Sequence, residues 1–479
     1  MVVLPTASRV ATVQFWMAVG VAHEPAHASG TAHLLEHLLV SAANEDERLF
    51  DLGASVRGTT THDACMLGTK VAATEATVAI DALARAFEHR IDPTTLALER
   101  RVLSREIGHH RSSTIESKTR ARMAGVFGAG HPYARPVAGE HDGIAKLTLS
   151  DVEALRAHHT ATRLTIVVVG AVDPHALHVP EPRLGEGHAD IVFPEPTPTA
   201  GSGGSMATVP AVRAGHPAAE ALERWAWILD RRLGGFGRGW ARLWTAREAG
   251  LLLLSGTDAW GEAERLREEG PDPREVDAAI ADLVEQRART LGSPTETATR
   301  LGRSACLDLP EGARPAGEVA HITQRDLAAA PDSLGWDRAV FHAPPSPAPP
   351  RPRSVVRVEC GTGEVGGALL LGRLVEDDRG PVARELRHDA GLVYAVRAAP
   401  ARGTKRFEVV TWTDPEHEDE VRSRLERALA RLALGPSDRD IRRAVAAARL
   451  DDPDLDPRTA EPALREAARR ILTPFPGAC

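Results

Sequence analysis

The chain has 479 residues, of which 43% are apolar and 26% charged, with a net charge of −8. Such a length fits about two to four globular domains with ample core. The basic residues are almost all arginines scattered among acids, the lysines being Lys70, Lys118, Lys146 and Lys405, so there is no basic stripe of the kind that binds nucleic acid.

In chain order, "MVVLPTASRVATVQFWMAVG" lacks the basic start and continuous apolar run of an export signal, and it is expected to form a strand over residues 9–20. No later segment has the uninterrupted apolar length of a membrane span. Cys65, Cys306, Cys360 and Cys479 lie far apart without metal-type spacing, as scattered thiols do in a reducing compartment. The expected location is the cytoplasm.

A helix is expected near 31–40, a strand near 64–72, helices near 75–88, 93–110 and 150–158, and a buried strand at 163–170 ended by Gly170 and Pro174. Ser150 and Glu153 have the spacing of a capping box for the last of these helices. The order predicts an α+β fold, with helices on a largely antiparallel sheet. Two seams rich in Pro, Gly and small polar residues, "FPEPTPTAGSGGS" (193–205) and "HAPPSPAPPRPR" (342–353), divide the chain into segments 1–195, 206–343 and 354–479. Segments two and three read as an internal repeat: "ARLWTAREAGLLLL" (241–254) and "VARELRHDAGLVYAV" (382–396) each place an Arg before Ala-Gly-Leu, and each is followed by an acid-started helix.

The stretch "GTAHLLEHLLV" (30–40) sets two histidines and a glutamate among leucines, where core positions seldom take such groups. On a helix, His33, Glu36 and His37 fall within an arc of about 100°, and Leu34, Leu35, Leu38 and Leu39 fill the opposite side. Histidines at i and i+4 have Cβ atoms roughly 5–6 Å apart, which suits two imidazoles on one zinc. Glu36 then lies beside the metal as a base. A catalytic zinc needs a third protein ligand, and "DPTTLALERRVLSREIGHHR" offers Glu99 and Glu106, seven residues apart on one helix face, after a start signal at Asp92 and Pro93. Either acid can complete the site while the other holds a histidine from behind. His109 and His110 are competing ligands.

H-x-x-E-H followed by "ERRVLSREI" resembles the pitrilysin/insulinase family of zinc metallopeptidases, which includes the mitochondrial processing peptidase. "GVAHEP" (20–25), residues 131–159 and "VVVGAVDP" extend the resemblance over about residues 10–175. It implies that Glu106 is the third zinc ligand and Glu99 a second acid of the site. "LRHDAGLVYAV" resembles the family segment whose Arg and Tyr reach the zinc from a later domain, here Arg387 and Tyr394. Segment two keeps Arg247 but has Leu in place of the Tyr, so it is expected to serve as scaffold. "VRGTTTHDA" carries Arg57 and Gly58 where the family has Asn-Ala on its substrate-side strand, which alters the expected substrate preference.

The resemblance implies a zinc endopeptidase with one Zn2+ per chain, cleaving peptides or unfolded segments. An extended peptide is expected to add to the sheet edge near residues 64–71. Three family-like segments, rather than the four of a closed double-length chain, leave room for a homodimer or a heterodimer with a related subunit. The narrower alternative is a leader peptidase for a ribosomally made peptide, and the more distant one a non-catalytic assembly subunit of the same fold.

Overall fold

The computed structural model describes residues 1–111, 114–161, 164–178, 205–234, 239–310, 322–342, 354–361, 365–377, 379–400 and 406–470, so most of both seams lies outside the described residues. The first sheet is built from β1 (Val2–Pro5), β2 (Val10–Met17), β3 (Arg57–Thr60), β4 (Cys65–Ala72) and β5 (Leu164–Gly170), in the order β1-β5-β2-β4-β3. Its helices are α1 (Thr31–Asn44), α2 (Glu47–Asp51), α3 (Ala76–Glu88), α4 (Pro93–Arg111), α5 (Thr114–Phe127), α6 (His141–Ile144) and α7 (Leu149–Ala161). Apart from the parallel β1–β5 pair, all its strand pairs are antiparallel.

The second sheet runs β7-β8-β6-β9 and comprises β6 (Met206–Ala211), β7 (Gly239–Thr245), β8 (Gly250–Gly256) and β9 (Val340–His342). With it go α8 (Ala219–Arg232), α9 (Ala259–Glu269), α10 (Pro273–Gly292), α11 (Pro294–Cys306) and α12 (Gln324–Ala329). The third sheet, ordered β10-β12-β11, comprises β10 (Ser354–Gly361), β11 (Val396–Pro400) and β12 (Arg406–Thr413). Its helices are α13 (Val365–Glu376), α14 (Pro381–Ala383), α15 (Glu418–Leu434), α16 (Asp438–Arg449) and α17 (Pro457–Arg470), and α14 runs directly into a π-helical stretch, Arg384–Asp389. The fold is α+β. No helix among the described residues is long and apolar enough to cross a membrane.

All three sheets are wound on one element order, β-α-β-β-α-α: β2-α1-β3-β4-α3-α4, then β6-α8-β7-β8-α9-α10, then β10-α13-β11-β12-α15-α16, with short α2 and α14 inserted. The repeat read from "AGL" is nevertheless out of register. Residues 241–254 form the β7–β8 hairpin, with Arg247 in its turn, whereas residues 382–396 are helix and loop leading into β11. Alike local sequence took different structure because Leu251 to Leu254 pair with both β6 and β7, while Arg387 precedes the strand.

Every residue of β2 is buried, since both faces of the first sheet are covered. Val13, Phe15 and Met17 enter the core under α1 and α3. The alternate residues meet α11 of the second unit, where Thr12 bonds Thr295 (3.1 Å), Gln14 donates to Thr299 (3.0 Å) and Trp16 lies against Gly302. A second link runs through Asp63, which accepts from the Tyr133 hydroxyl (2.8 Å) and the Arg247 N–H (2.8 Å). The third unit closes on the first at α2. There Phe50 carries the guanidinium groups of Arg379, Arg439 and Arg443 at 4.4, 4.6 and 4.0 Å from its ring centroid. Gly53 (φ +68°) lets the loop after α2 touch the α16 backbone, since a Cβ there would lie 2.3 Å from the Ala447 nitrogen.

Three local expectations need correction. The capping box of α7 is Thr148 with Asp151, whose groups exchange bonds of 2.8 and 3.2 Å, two residues earlier than Ser150 and Glu153. The strand near 64–71 is not an edge over its first half, because β3 pairs with β4 from Cys65 to Gly68; the outer strand beside α1 is β3. The helix α5 was not expected; its Met123, Val126 and Phe127 are buried against Leu251, Leu253 and Val340 of the second sheet, a partner its own pattern does not display.

Candidate functional site

Helix α1 begins at Gly30 (φ +98°), a conformation open to glycine, and a Cβ there would strike Ile144 Cδ1 at 2.3 Å. Its first backbone donors are satisfied by a distant carboxylate: Glu24 accepts from Gly30 N–H (3.0 Å) and Ala32 N–H (2.8 Å). Burial pushes Glu24 up to about 7, against the pull of those two bonds. Leu34, Leu35, Leu38 and Leu39 anchor the helix in the first core. The remaining stripe, His33, Glu36 and His37, turns toward α4 and β3.

His37 is held at both ring nitrogens, Nδ1 lying 3.1 Å from Glu99 Oε2 and Nε2 3.1 Å from Glu106 Oε2. Burial opposes charge on this ring, but the bonds to Glu106 and Glu99 outweigh it and raise His37 to about 10. His33 Nε2 sits 3.8 Å from Glu106 Oε1, and the two imidazoles meet edge to face with centroids 4.8 Å apart. One ligand atom from each of His33, His37 and Glu106 falls within 4.8 Å of the others. Zinc bonds of about 2.1 Å in a tetrahedron set ligand atoms about 3.4 Å apart, and two imidazoles with one carboxylate are a zinc donor set, so these residues fit that ion. Glu99, on the far side of His37, orients its ring. His109 and His110 belong to α4, but their side chains lie outside the described residues.

Glu36 is 8% exposed and its Oε2 accepts from the Thr60 hydroxyl at 3.0 Å; burial pushes its carboxyl up from the usual range. Gly58 on β3 makes room for it, since a Cβ at residue 58 would lie 2.2 Å from Glu36 Oε1. Glu24 and Thr60 lie within "GVAHEP" and "VRGTTTHDA", but their roles at α1 were not legible there, because their spacing from α1 carries no local signal.

From the third unit, Tyr394 comes near enough to Glu106 to feel its charge, and burial, together with that charge, pushes its phenol up to about 12. Arg387 sits in the π-helical stretch with its guanidinium 5.9 Å from the Tyr394 ring centroid. Both residues, with Glu36, His37 and Glu99, line one cavity of about 710 Å³ between the first and third units. Arg247 does not line this cavity and stays at the Asp63 link.

Residues 1–140 match the family "Insulinase (Peptidase family M16)". A probable mitochondrial-processing peptidase subunit beta of Arabidopsis thaliana is 26% identical over 173 residues, 34% of this chain and 32% of that protein. An uncharacterized zinc protease of Mycobacterium leprae is 27% identical over 175 residues, 35% of this chain and 39% of the other. The matched stretch thus spans roughly a third of these relatives' length. In fold, the chain is similar to a protease from Helicobacter pylori (TM-score 0.58, 15% identity, 71% of this chain and 95% of that one). It is also similar to a peptidase M16 inactive domain from Pseudomonas fluorescens (TM-score 0.59, 17% identity, 71% and 93%).

Proposed function

We propose that residues 1–140, which match the family "Insulinase (Peptidase family M16)", form a catalytic domain of that kind and that the chain is a zinc-dependent endopeptidase acting on peptides or unfolded segments. The observation that carries this reading is the meeting of His33, His37 and Glu106 beside a buried Glu36, roofed by Tyr394 from the third unit. One solved structure of similar fold is named an inactive domain, so the reading rests on side chains: His33, His37 and Glu106 gathered beside Glu36 support it here.

His33, His37 and Glu106 would hold one zinc, which when bound supplies Lewis acidity and brings a water's pKa down toward about 7. Glu36, raised by burial and aimed by Thr60, takes the proton of the attacking water and returns it to the leaving amine. Tyr394, protonated at neutral pH, donates to the oxyanion as it develops, and Arg387 beside it holds a substrate carbonyl or carboxylate. A peptide laid along the outer strand β3 is recognised first by its backbone. We divide the chain into a catalytic domain 1–195 and two further domains, 206–343 and 354–479. A narrower role as a leader peptidase working with a related subunit agrees with the "subunit" in the plant relative's name.

The test is metal analysis joined to hydrolysis. The purified chain is expected to carry about one zinc, and Glu36→Gln to keep that zinc and its fold while losing activity by about 10²–10⁴-fold. A Glu36→Gln protein that hydrolyses peptides at the parent rate overturns the reading.

A further inference from the structure

The cavity that opens from the zinc-binding residues is unusually rich in arginine for a chain of net charge −8. Some of these arginines are already neutralised: Arg379 and Arg439 pair with Glu47, Arg439 also with Asp51 (2.7 Å), and Arg373 with Asp451. Arg57, Arg384 and Arg397 line the same cavity, are exposed, and among the described residues have no carboxylate within ion-pair distance. Arg384 donates to the Arg379 carbonyl (2.9 Å). Of the carboxylates in the lining, Glu36 and Glu99 belong to the histidine site, Glu47 and Asp377 are held by Arg379 and Arg443, Glu376 accepts the Ala398 N–H (2.7 Å), and Glu45 remains.

Their placement follows the path of a substrate. Arg57 lies on β3, the outer strand of the first sheet, next to the Gly58 that touches Glu36. Arg397 lies on β11, the outer strand of the third sheet, three residues past Tyr394. An extended peptide advances about 3.3 Å per residue, so a segment laid along β3 carries the side chains nearest the bond held at Glu36 past Arg57 and along the cavity that Arg384 and Arg397 also line. A guanidinium fork fits a carboxylate with two parallel hydrogen bonds, and opposed positive walls draw anionic ligands in and hold cationic ones off.

We propose that Arg57, Arg384 and Arg397 make the cavity selective for peptide segments carrying Asp or Glu close to the cleaved bond. This rests on the peptidase reading above, from which it takes the position of the scissile bond.

The experiment compares peptides of one backbone with Asp/Glu, Ser/Gln or Lys/Arg flanking a single cleavable bond, using the zinc-loaded full chain. The expected kcat/KM favours the acidic peptide over the neutral one about 10-fold and over the basic one about 100-fold, with both ratios shrinking as salt rises from about 50 to 500 mM. Arg57→Glu with Arg397→Glu is expected to reverse the order, while Arg289→Glu, on α10 outside the cavity, leaves it unchanged. Equal or better cleavage of the neutral or basic peptide overturns the proposal. If no peptide is cleaved, the peptidase reading fails separately, and fluorescence anisotropy with the same labelled peptides decides this one. Acidic-peptide binding that Arg57→Glu/Arg397→Glu abolishes upholds the basic cavity, and binding indifferent to peptide charge overturns it.

Discussion

The first and second β-α-β-β-α-α units solve one packing problem with opposite chemistry. In each, the helix after the first strand faces the last helix of the unit across a polar seam. In the second unit Arg224 of α8 reaches Asp282 of α10 (3.0 Å), and Arg232 grips Glu275 with two bonds of 2.7 Å. Glu275 and Asp282 are seven residues apart, as are Glu99 and Glu106 on α4. In the first unit the partners on α1 are imidazoles, shorter and single-armed, so Glu106 meets His37 yet stays 3.8 Å from His33. An arginine closes such a seam with its own charge. Two histidines leave it open to a cation. The teaching is that acid spacing on the last helix marks the seam, and the residue type on the facing helix decides whether it is an ion pair or a metal site.

The comparison breaks most completely if the first seam can do without its carboxylate. Glu106→Gln is expected to strip zinc during dialysis against a mild chelator and to take hydrolysis to background, as read by metal analysis and peptide cleavage. Retained zinc and activity would make Glu106 a counterpart of Asp282, a structural acid only.

Next in size is the group that the third unit adds. Tyr394→Phe is expected to slow the chemical step by about 10²–10³-fold with zinc content and thermal midpoint unchanged, since only an oxyanion donor is lost. Single-turnover kinetics measures it. A parent-like rate would assign Tyr394 to packing around Glu106.

In the second unit the same kind of change acts on stability. Arg224 is 3% exposed, and Arg224→Ala is expected to cost about 1–3 kcal/mol in denaturant unfolding by orphaning Asp282 and leaving a gap. Hydrolysis per folded molecule stays within about twofold. A zinc or rate defect there would mean that the second seam feeds the first.

Much of the first unit was legible because its signals are local. The period of "HLLEHLL" fixed the two faces of α1, Asp92 and Pro93 marked the start of α4, and the seven-residue spacing put Glu99 and Glu106 on one face. What escaped depends on contacts between distant segments. Glu24 satisfies the start of α1 from outside the helix, Thr60 reaches Glu36 from β3, and α5 owes its burial to the second sheet. The "AGL" pairing misled because an identical tripeptide can open a central strand or precede an outer one; strand partners, not the tripeptide, decide which. The unpaired arginines of the cavity were invisible for the same reason, since the partners of their neighbours, such as Glu47 for Arg379 and Asp51 for Arg439, come from another unit.

The smallest expected effect tests how tightly the open seam is built. Gly58 stands on β3 where no side chain fits between the strand and Glu36, because an added Cβ would lie 2.2 Å from Oε1 and 2.5 Å from both Cγ and Cδ. Those atoms belong to a side chain that can rotate, so Gly58→Ala is expected to be absorbed by movement of Glu36 rather than by the sheet. Loss of the Thr60 bond and a misplaced carboxyl then lower the rate by about 10-fold, in line with the cost of an ångström's misplacement at a reacting centre. Zinc content is expected to stay unchanged, because the nearest atoms to an added Cβ belong to Glu36, and stability to shift by about 1 kcal/mol or less. Pairing Gly58→Ala with Glu36→Gln separates the possibilities. If the alanine acts only through Glu36, it costs nothing further once Glu36 has lost its base, and an additive loss would place its effect on the peptide lying along β3 instead.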